Sequence, residues 1–455
     1  MIDGIAAGRP VVAWYGDDFT GAAAVMEVLT FGGLPSVLFL DVPTQAQRDR
    51  FRGYGGIGIA GVARAKSPAW MDAALPPVFR FLDGLAAAIT QYKVCSTFDS
   101  SPDVGSIGHA YDLAAPILTG AWTPLLVAAP PVYRYQVFGN LFASIGGVGY
   151  RLDRYPAMSR HPVTPMTEAD LSLHLSRQTT ARIGLIDIVA MRGGRASQVL
   201  AEKRAGGDAI VSLDVTDDET LREAGRLIWE NRGARLFAIA SQGLEYALLA
   251  HWHAAGLLPC PAMLPRAAVA DHVAAVSGSC SPITAEQIAW AGNNGYRPIR
   301  LDVCKAVGDA SAWSGELDRM IAASLDALSA GADPLLFTAL GPDDPAVPAL
   351  RNAAVAGGVA LADATTRISE GLGHILAEVL RRTRIRRAII AGGDTSSYAT
   401  SALGVCALTA VAPTVAGAAL FQAHADDDAG RTLEVALKGG QMGSTDYFGR
   451  IRAGV

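Results

Sequence analysis

The stretch Val11–Tyr15 (VVAWY) is a short apolar run typical of a buried strand, and Gly16–Thr20 (GDDFT) follows it directly. Gly21–Thr30 (GAAAVMEVLT) is rich in helix formers and is followed by a glycine pair, which favours a helix end. Val37–Leu40 (VLFL) then supplies a second apolar strand. This order predicts a βαβ unit, and a βαβ unit implies a parallel sheet.

The same alternation continues along the chain. In the first half we predict a helix over Met71–Gln91 and strands over Tyr54–Ala60, Lys93–Thr97, Pro124–Ala129, Ile183–Val189, Ala209–Leu213 and Leu236–Ala240. In the second half we predict strands over Val273–Val276, Ile299–Val303, Pro334–Ala339, Val359–Leu361, Arg387–Ala391 and Leu433–Leu437. Between the halves, His251–Pro265 lacks periodicity and contains glycine and prolines, as linkers do. The fold class expected is α/β: two α/β domains with mainly parallel sheets, over 1–255 and 266–455, a linker over 256–265 and an interdomain cleft that favours ligands.

Composition excludes several classes of protein. Of the 455 residues 50% are hydrophobic and 18% are charged, so long disordered tails are not expected. The net charge of -5 is dispersed, which argues against a nucleic-acid or anionic-membrane partner. Five scattered cysteines without a C-x-x-C pair argue against a disulfide framework or a structural zinc. The uncharged stretches 113–133 and 395–425 contain prolines or polar residues, so we expect buried segments there and not membrane spans. No secretory signal begins the chain, so a cytoplasmic location is expected.

Glycine-rich junctions follow strands in the second half. Arg387–Ala391 leads into Gly392, Gly393, Asp394, Thr395 and Ser396, where backbone N–H groups and a helix N-terminus could hold a phosphate. The alternative is an ordinary helix cap by Asp394, Thr395 or Ser396. Ser277, Gly278 and Ser279 form a second junction, with Ser281 as N-cap and Pro282 at the first helical position. Lys438, Gly439, Gly440 and Gly443 form a third, which alone is more typical of a tight turn with a solvated lysine.

The first half carries a junction of opposite charge. Asp17 and Asp18 stand at the carboxyl end of the first strand, where a doubly wound sheet presents its ligand site. Because carboxylates repel phosphate, this junction favours binding hydroxyl groups or a divalent cation, or abstracting a proton from a hydroxyl. The alternative is that Asp18 or Thr20 caps the following helix.

Other polar segments are candidates for the same ligand. The loop with Ser96, Thr97 and Asp99 could bind a polyhydroxylated acid, or could be an exposed turn. Arg134 and Asn140 could clamp a substrate carboxylate, although an arginine among aromatics is commonly a packed surface residue. His161 stands in a proline-rich loop and is a candidate site residue or a structural histidine.

Several known motifs are absent from the sequence. There is no Walker A loop, no G-x-G-x-x-G after a strand, no H-E-x-x-H and no G-x-S-x-G elbow. Their absence argues against a P-loop enzyme, an NAD-dependent oxidoreductase, a zinc protease and a serine hydrolase with Ser279 as nucleophile.

Taken in order, these segments resemble the four-carbon acid sugar kinase family, formerly a domain of unknown function. The resemblance covers nearly the whole chain and rests on seven collinear segments: 17–22, 60–68, 130–141, 161–167, 277–281, 392–396 and 437–443. It implies a sugar-acid-binding N-terminal domain and an ATP-binding C-terminal domain that phosphorylate a terminal hydroxyl of a short sugar acid. ATP and Mg²⁺ are the implied cofactors, and the oligomeric state is left open, a homo-oligomer included.

The resemblance also implies roles for residues. Asp17 and Asp18 are implied as catalytic residues near the accepting hydroxyl. The implied substrate-binding residues are Thr20, Arg64, Ser96, Thr97, Asp99, Arg134, Asn140 and His161. The implied nucleotide-binding residues are Ser277, Gly278, Ser279, Gly392, Gly393, Asp394, Thr395, Lys438, Gly439, Gly440 and Gly443. Metal ligands are not assigned.

One segment departs from the family. Many members carry K-x-D-S-T-L-R-G, whereas Lys93–Asp103 lacks the usual arginine and is richer in short polar residues. This departure places 3-oxo-isoapionate beside threonate, erythronate and 3-oxo-tetronate as an expected substrate. The competing hypothesis is a non-catalytic nucleotide or sugar-acid sensor on the same scaffold, and the aspartate pair argues against it.

Overall fold

The computed structural model describes residues 9–118, 120–160, 163–415, 418–426, 432–440 and 442–454, with backbone alone for Asp394 and Ser397. The chain divides into two compact units, Met1–Ala262 (unit 1) and Met263–Val455 (unit 2). Within the described ranges, no helix is both long and apolar enough to cross a membrane.

Unit 1 alternates strands and helices as the sequence predicts. Its strands are β1 (Val12–Gly16), β2 (Ser36–Phe39), β3 (Gly56–Ala60), β4 (Ile89–Lys93), β5 (Thr123–Leu126), β6 (Arg134–Val137), β7 (Asn140–Ile145), β8 (Val148–Arg151), β9 (Ile183–Ile186), β10 (Ile210–Leu213) and β11 (Leu236–Ala240). Its helices are α1 (Phe19–Phe31), α2 (Gln45–Asp49), α3 (Pro68–Gly84), α4 (Ile107–Ala114), α5 (Pro156–Ser159), α6 (Leu171–Leu175), α7 (Ile188–Arg192), α8 (Ala196–Ala205), α9 (Asp218–Glu230) and α10 (Gly243–Ala254). Short 3₁₀ turns lie at Ala63–Ala65, Pro130–Val132 and Leu152–Arg154.

The sheet of unit 1 is parallel and has the order β2-β3-β1-β4-β11-β5-β10-β9. All residues of β1 and β4 are buried, as expected for central strands covered on both faces. Helix α1 packs closely on β1, since a Cβ on Gly16 would lie 2.4 Å from the Cβ of Ala22. Gly16 therefore sets the close approach of strand and helix just before the aspartate pair.

A separate antiparallel sheet, β6-β7-β8, interrupts the parallel pattern and was not predicted. Its first turn is anchored on Asp214, which follows β10 and accepts hydrogen bonds from the backbone N–H groups of Phe138 and Gly139 and from Gln136 Nε2. This small sheet carries Arg134 on β6 and Asn140 on β7.

Unit 2 contains strands β12 (Ala274–Ser277), β13 (Tyr296–Arg300), β14 (Asp333–Phe337), β15 (Arg387–Ala391), β16 (Val405–Val415), β17 (Ala418–Ala425) and β18 (Leu433–Lys438). Its helices are α11 (Pro282–Gly292), α12 (Ala310–Ser329), α13 (Ala346–Gly357), α14 (Leu361–Arg382), α15 (Gly393–Ala402) and α16 (Tyr447–Ala453), with a 3₁₀ turn at Val303–Ala306. Strands β13-β14-β12-β15-β18 are parallel, and β17 joins β18 and β16 in antiparallel pairing.

The expected fold class, α/β with mainly parallel sheets, is confirmed in both units. The cleft between domains and the linker limits stay predictions. Five predicted strands run two or more residues past the observed ends. The observed ends are Lys93 of β4 for Lys93–Thr97, Leu126 of β5 for Pro124–Ala129, Ile186 of β9 for Ile183–Val189, Arg300 of β13 for Ile299–Val303 and Phe337 of β14 for Pro334–Ala339.

The predicted helix over Met71–Gln91 is confirmed over Met71–Gly84 as α3 but was predicted too long, because the following residues turn into the buried strand β4. The predicted strand at Val359–Leu361 is instead the entry to α14, a long helix that buries one face. Short apolar runs do not distinguish a strand from a buried helix turn.

Candidate functional site

Three chain segments meet at the carboxyl end of β1. The backbone N–H of Asp17 donates to the carbonyl of Lys93 over 2.9 Å, and the carbonyl of Asp17 accepts from the N–H of Arg64, also over 2.9 Å. Strand β4 and the 3₁₀ turn at Ala63–Ala65 are thereby fixed on either side of Asp17. These backbone hydrogen bonds therefore fix the relative positions of Asp17, Arg64 and Lys93.

The Arg64 guanidinium joins both aspartates. Its Nη2 donates to Asp17 Oδ1 over 2.6 Å and to Asp18 Oδ1 over 2.9 Å, and its Nε donates to Asp17 Oδ2 over 3.2 Å. The Asp17 side chain is 2% exposed, whereas that of Asp18 is 32% exposed. Asp17, Asp18 and Arg64 form an ion cluster, which we call the acidic clamp, with Asp18 as its more accessible carboxylate.

Asp18 also caps α1, as the alternative interpretation proposed. Its Oδ1 accepts from the N–H of Gly21 over 2.9 Å, and its backbone is extended. The cap and the ion pair use the same oxygen, so the two interpretations do not exclude each other. Thr20 lies half-buried in the first turn of the same helix.

The electrostatics of the clamp suit a carboxylate that titrates near neutrality. Burial raises the pKa of Asp17 to about 6, with a further upward contribution from the Asp18 carboxylate. The positive charges of Arg64 and Lys93 act in the opposite direction. A carboxyl group with such a pKa changes charge within the working range of most enzymes.

The loop after β4 adds polar groups beside Arg64. Thr97 Oγ1 donates to Asp99 Oδ1 over 2.8 Å and lies 2.9 Å from Cys95 Sγ. Burial alone would raise the pKa of Asp99, but the Arg64 charge and the Thr97 hydrogen bond outweigh it and the pKa falls below its usual value. The structure therefore brings Thr97 and Asp99 to the clamp, and Ser96 lies half-buried next to them.

A buried side-chain network that was not predicted from the sequence holds this loop. Ser100 Oγ lies 3.0 Å from His174 Nε2, and Gln178 Nε2 donates to Ser100 Oγ over 3.0 Å. Burial lowers the pKa of His174 to about 4, so this histidine is neutral at physiological pH. The N–H of Gly105 donates to the carbonyl of Lys66, two residues after Arg64.

Arg134 and Asn140 are engaged within the small antiparallel sheet. Arg134 Nη1 donates to the carbonyls of Val132 and Tyr133, and its guanidinium stands 5.6 Å from the ring centre of Tyr155. Asn140 Nδ2 donates to the carbonyl of Phe138. No hydrogen bond or ion pair of the described residues links either side chain to the acidic clamp, and His161 lies outside the described residues.

In unit 2 the three predicted glycine junctions lie side by side. The strand register pairs Ser277 with Ala391 and Ala391 with Lys438, so the loops that follow β12, β15 and β18 leave the same edge of the sheet. A cavity of about 370 Å³ opens there. Gly278, Ser279, Gly392, Gly393, Thr395 and Gly440 all line it.

The glycines are required by close packing between the loops. A Cβ on Gly278 would lie 2.2 Å from Thr395 Oγ1, and one on Gly440 would lie 2.4 Å from Ser279 Oγ. Gly392 has a φ of 120°, a conformation that residues with side chains rarely adopt. Gly393 differs, because a Cβ there would meet nothing within 4 Å.

Helix α15 begins at this cavity. Its N-cap is Gly392, and none of the side chains that the structure describes there caps the helix. Ser396 Oγ donates backwards to the carbonyl of Gly392 over 2.7 Å, so Ser396 does not cap the helix. An N-terminus left open beside two glycine loops offers N–H donors and a partial positive charge to an anion.

Lys438 is buried rather than solvated. It is 2% exposed, and its Nζ donates to Thr284 Oγ1 over 3.1 Å and to the carbonyls of Gly439 and Met442. Burial lowers its pKa to about 8. The ammonium group holds the turn that contains Gly439 and Gly440 in place.

The rest of the cavity wall was not predicted and is apolar in part. Its apolar part includes Val303, Val347, Leu350, Leu361 and Ile368, which come from the 3₁₀ turn and from α13 and α14. Its polar lining residues are Thr338, Arg351, Thr365 and Ser369. An apolar wall facing a polar glycine edge matches a ligand that has a flat apolar part and an anionic part. A nucleotide has both parts.

Comparison with known families gives the same division of roles. Residues 12–248 match the family described as a sugar-binding N-terminal domain, and residues 274–448 match the family described as a nucleotide-binding C-terminal domain. The chain belongs to the four-carbon acid sugar kinase family. In this family member the acidic clamp lies in the sugar-binding region and the glycine junctions in the nucleotide-binding region.

Curated relatives match over nearly their full length. The chain is 47% identical to a 3-oxo-isoapionate kinase of Paraburkholderia graminis, over 98% of this chain and 94% of that protein. It is 31% identical to a 3-oxo-tetronate kinase of Methylobacterium radiotolerans, over 95% of this chain and 96% of that protein. The expected sugar-acid kinase function is confirmed at the level of its class.

Solved structures share the fold. A protein of Salmonella typhimurium LT2 superimposes with a TM-score of 0.78 at 23% identity, covering 98% of this chain and 99% of that one. A Haemophilus influenzae protein gives a TM-score of 0.74 at 24% identity, covering 96% and 98%. At these identities the likeness concerns the fold alone.

Proposed function

We propose that the protein is an ATP-dependent 3-oxo-isoapionate kinase that phosphorylates the terminal hydroxyl of its substrate. The observation that carries this proposal is the 47% identity to a 3-oxo-isoapionate kinase over 98% of the chain. Two 3-oxo-tetronate kinases, by comparison, are 31% and 29% identical to this chain. The segment Lys93–Asp103, which lacks the arginine of many family members, supports a substrate other than a plain tetronate.

The glycine junctions of unit 2 are proposed to bind ATP. The base would pack on the apolar wall formed by Val347, Leu350 and Ile368, and the phosphates would approach Gly278, Gly393 and the open N-terminus of α15. Ser277, Ser279, Thr395, Gly392, Gly439, Gly440 and Gly443 complete the proposed nucleotide site. Asp394 belongs to the same proposal by sequence position.

The nucleotide is proposed to arrive as MgATP, so the metal is part of the substrate. The described residues contain no group of three or more His, Cys, Asp or Glu side chains able to hold a metal ion. Mg²⁺ in kinases is held largely by phosphate oxygens and water, with one or two protein ligands, so binding of MgATP does not require such a group. The Ser279 and Thr395 hydroxyls line the cavity and could supply such ligands.

The acidic clamp is proposed to receive the accepting hydroxyl. Arg64 is already engaged by two carboxylates, so its charge is not available for the carboxylate of the sugar acid. Asp18, the more exposed member, would accept a hydrogen bond from the terminal hydroxyl, while Asp17 fixes Arg64 and through it Asp18. Thr20 in the first turn of α1 and Ser96, Thr97 and Asp99 in the loop after β4 are proposed to hold further hydroxyl groups of the substrate.

The carboxylate of the sugar acid needs a separate cationic site. Arg134 and Asn140 remain our proposal for it, together with His161. A planar guanidinium matches a carboxylate in two parallel hydrogen bonds, and the present partners of Arg134 are backbone carbonyls that water can replace. We also propose that the enzyme acts in the cytoplasm, where ATP is made and where its five free thiols would stay reduced.

A coupled assay of ADP release tests the proposal. The purified protein is given MgATP and, in turn, 3-oxo-isoapionate, 3-oxo-tetronate, threonate and erythronate. We expect turnover with 3-oxo-isoapionate, loss of turnover in Asp18→Asn, and normal turnover in Asp49→Asn, which removes an exposed carboxylate outside the site. If the acids raise the thermal midpoint of the protein but no ADP is formed with any of them, the protein is a sensor and the proposal is contradicted.

A further inference from the structure

Helix α6 connects two segments that are proposed to bind the sugar acid. At its start, the backbone N–H of Leu171 donates to the carbonyl of Gly139 over 3.0 Å. Asn140, the next residue of that turn, forms an antiparallel bridge with Asp170, which is the N-cap of the helix. The turn between β6 and β7 is therefore fixed to the first residues of α6.

The other end of α6 contacts the loop that follows β4. His174 is buried, and its Nε2 lies 3.0 Å from Oγ of Ser100. Gln178 Nε2 donates to the same oxygen over 3.0 Å, while Gln178 Oε1 accepts from the backbone N–H groups of Ile107 and Gly108. These bonds hold the amide of Gln178 in place, so His174 and Gln178 together anchor Ser100.

The anchored loop contains a strained backbone position. Phe98 has a φ of 55°, in the left-handed region that residues with side chains rarely adopt. Its buried ring lies edge-to-face with His174 at 5.7 Å between the ring centres, and its carbonyl accepts from Ser100 Oγ over 3.1 Å. Strain of this kind persists only where the surroundings hold it. His174 supplies two of the contacts that do so, one to the Phe98 ring and one to Ser100.

The residues held in this way alternate with proposed substrate-binding residues. Phe98 lies between Thr97 and Asp99, and Ser100 comes directly after them. Because neighbouring residues share peptide units, a shift of Phe98 or Ser100 also moves the polar side chains beside it. Thr97 and Asp99 are joined by a hydrogen bond of 2.8 Å, so they would move together. The loop lies within Lys93–Asp103, the segment that departs from the family pattern.

We propose that His174 is a positioning residue that determines which sugar acid the enzyme accepts, because it fixes the loop after β4 relative to the turn at Asn140. The inference rests on the proposed kinase function and deepens it. Leu171 and His174 are three residues apart in one helix, so their contacts are separated by a rise of about 4.5 Å. A sugar acid that binds to both segments must match the spacing that this helical turn sets.

The test is the substrate selectivity of His174→Phe, measured as kcat/KM for 3-oxo-isoapionate divided by kcat/KM for 3-oxo-tetronate. Phenylalanine keeps a ring against Phe98 and loses the contact with Ser100. We expect the ratio to fall about tenfold, as the loss of one pocket contact can do, while KM for ATP stays unchanged. The ratio does not depend on the fraction of folded enzyme, so the loss of a purely structural histidine would not change it.

Two further histidine variants support the test. His253→Phe is the matched control: Nε2 of His253 lies 2.8 Å from the carbonyl oxygen of Gly32 at the end of α1, and this variant should keep the wild-type ratio. His174→Gln retains a side-chain nitrogen that can reach Ser100, and we expect it to restore most of the ratio. A ratio in His174→Gln as low as in His174→Phe would contradict the role of the Ser100 contact.

Ser100→Ala covers the case in which His174→Phe does not fold. It removes the other partner of the same contact and should lower the ratio to the same extent, and the double variant should lose no more than either single variant. An unchanged ratio in the folded variants, or losses that add in the double variant, would overturn the inference while the wild-type protein is active. If the wild-type protein forms no ADP with any acid, the proposed function fails and the inference falls with it, so the two failures are distinguishable.

Discussion

Nη2 of Arg64 lies 2.6 Å from Oδ1 of Asp17, a contact between residues 47 positions apart. The contact joins the end of β1 to the 3₁₀ turn after β3 and places one guanidinium between two carboxylates. Because the Asp17 side chain is 2% exposed, the pair is shielded from water and depends on its geometry. The acidic clamp is therefore a largely buried ion cluster with defined geometry and not an exposed surface ion pair.

Replacing Arg64 by lysine should disable the clamp. A lysine ammonium cannot reproduce the fork that donates through Nε and Nη2, so Asp17 and Asp18 would no longer be held together. We expect kcat/KM for the sugar acid to fall on the order of 100-fold, as displacements of about 1 Å at an active site do. Steady-state kinetics measure this, with Arg52→Lys, an exposed arginine, as control. Unchanged kinetics in Arg64→Lys would rule out a role for the fork.

The wild-type enzyme should lose activity as the pH falls through about 6. At that pH Asp17, whose pKa burial raises, takes up a proton and no longer pairs with Arg64 as an anion. Activity is therefore present above the pKa and lost below it. A profile of kcat/KM against pH, with the thermal midpoint recorded at each pH, checks the prediction. An activity that stays constant down to pH 5 in a folded protein would contradict it.

The open space beside Gly393 should matter for nucleotide binding and not for the stability of the fold. A Cβ there meets no atom within 4 Å, yet Gly393 lines the cavity, so Gly393→Ala should leave the thermal midpoint of the free protein unchanged. We expect KM for ATP to rise about tenfold or more, equivalent to at least about 1.4 kcal/mol of binding free energy. The matched control is Gly315→Ala on α12, where a Cβ also meets nothing within 4 Å. Equal KM values for the two variants would exclude a phosphate site at Gly393.

Lys438 should stabilise unit 2 through its loop. Lys438→Met removes the ammonium group that donates to Thr284 Oγ1 and to the carbonyls of Gly439 and Met442, so each of these oxygens loses a charge-assisted hydrogen bond while keeping its other partner. We expect the free energy of unfolding to fall by about 1–3 kcal/mol, seen as a lower thermal midpoint, together with weaker ATP binding. Lys305→Met, at an exposed lysine of the same unit, should leave both unchanged. Weaker ATP binding at an unchanged midpoint would instead indicate that Lys438 contacts the phosphates directly.

Much of the architecture follows from local patterns in the sequence. The first βαβ unit, with Gly16 before the aspartates and Gly32 at the end of α1, was predictable because strand hydrophobicity and helix ends are local signals. Ser281 as N-cap with Pro282 at the first helical position is confirmed for the same reason. The hairpin of β16 and β17 was not predicted, since its small apolar and polar residues do not alternate clearly.

The candidate site was predictable only in part. Asp17, Asp18 and the glycine junctions stand directly after strands, so their positions follow from the order of elements. The contact with Arg64, the burial of Lys93 and the apolar wall with Val347 and Ile368 depend on how distant segments pack, and no local pattern encodes that packing. Lys438 was expected to be a solvated turn residue when considered alone, and its burial became visible only in the structure.

The central claim is that this chain transfers phosphate from ATP to 3-oxo-isoapionate, and a competition experiment tests it most directly. The purified protein is incubated with MgATP and equimolar 3-oxo-isoapionate and 3-oxo-tetronate, and both phosphorylated products are quantified by mass spectrometry at low conversion. We predict that phospho-3-oxo-isoapionate predominates by at least about tenfold and that one ADP is formed per phosphorylated acid. Predominance of phospho-3-oxo-tetronate would contradict the proposed substrate, and the absence of both products would contradict the kinase itself.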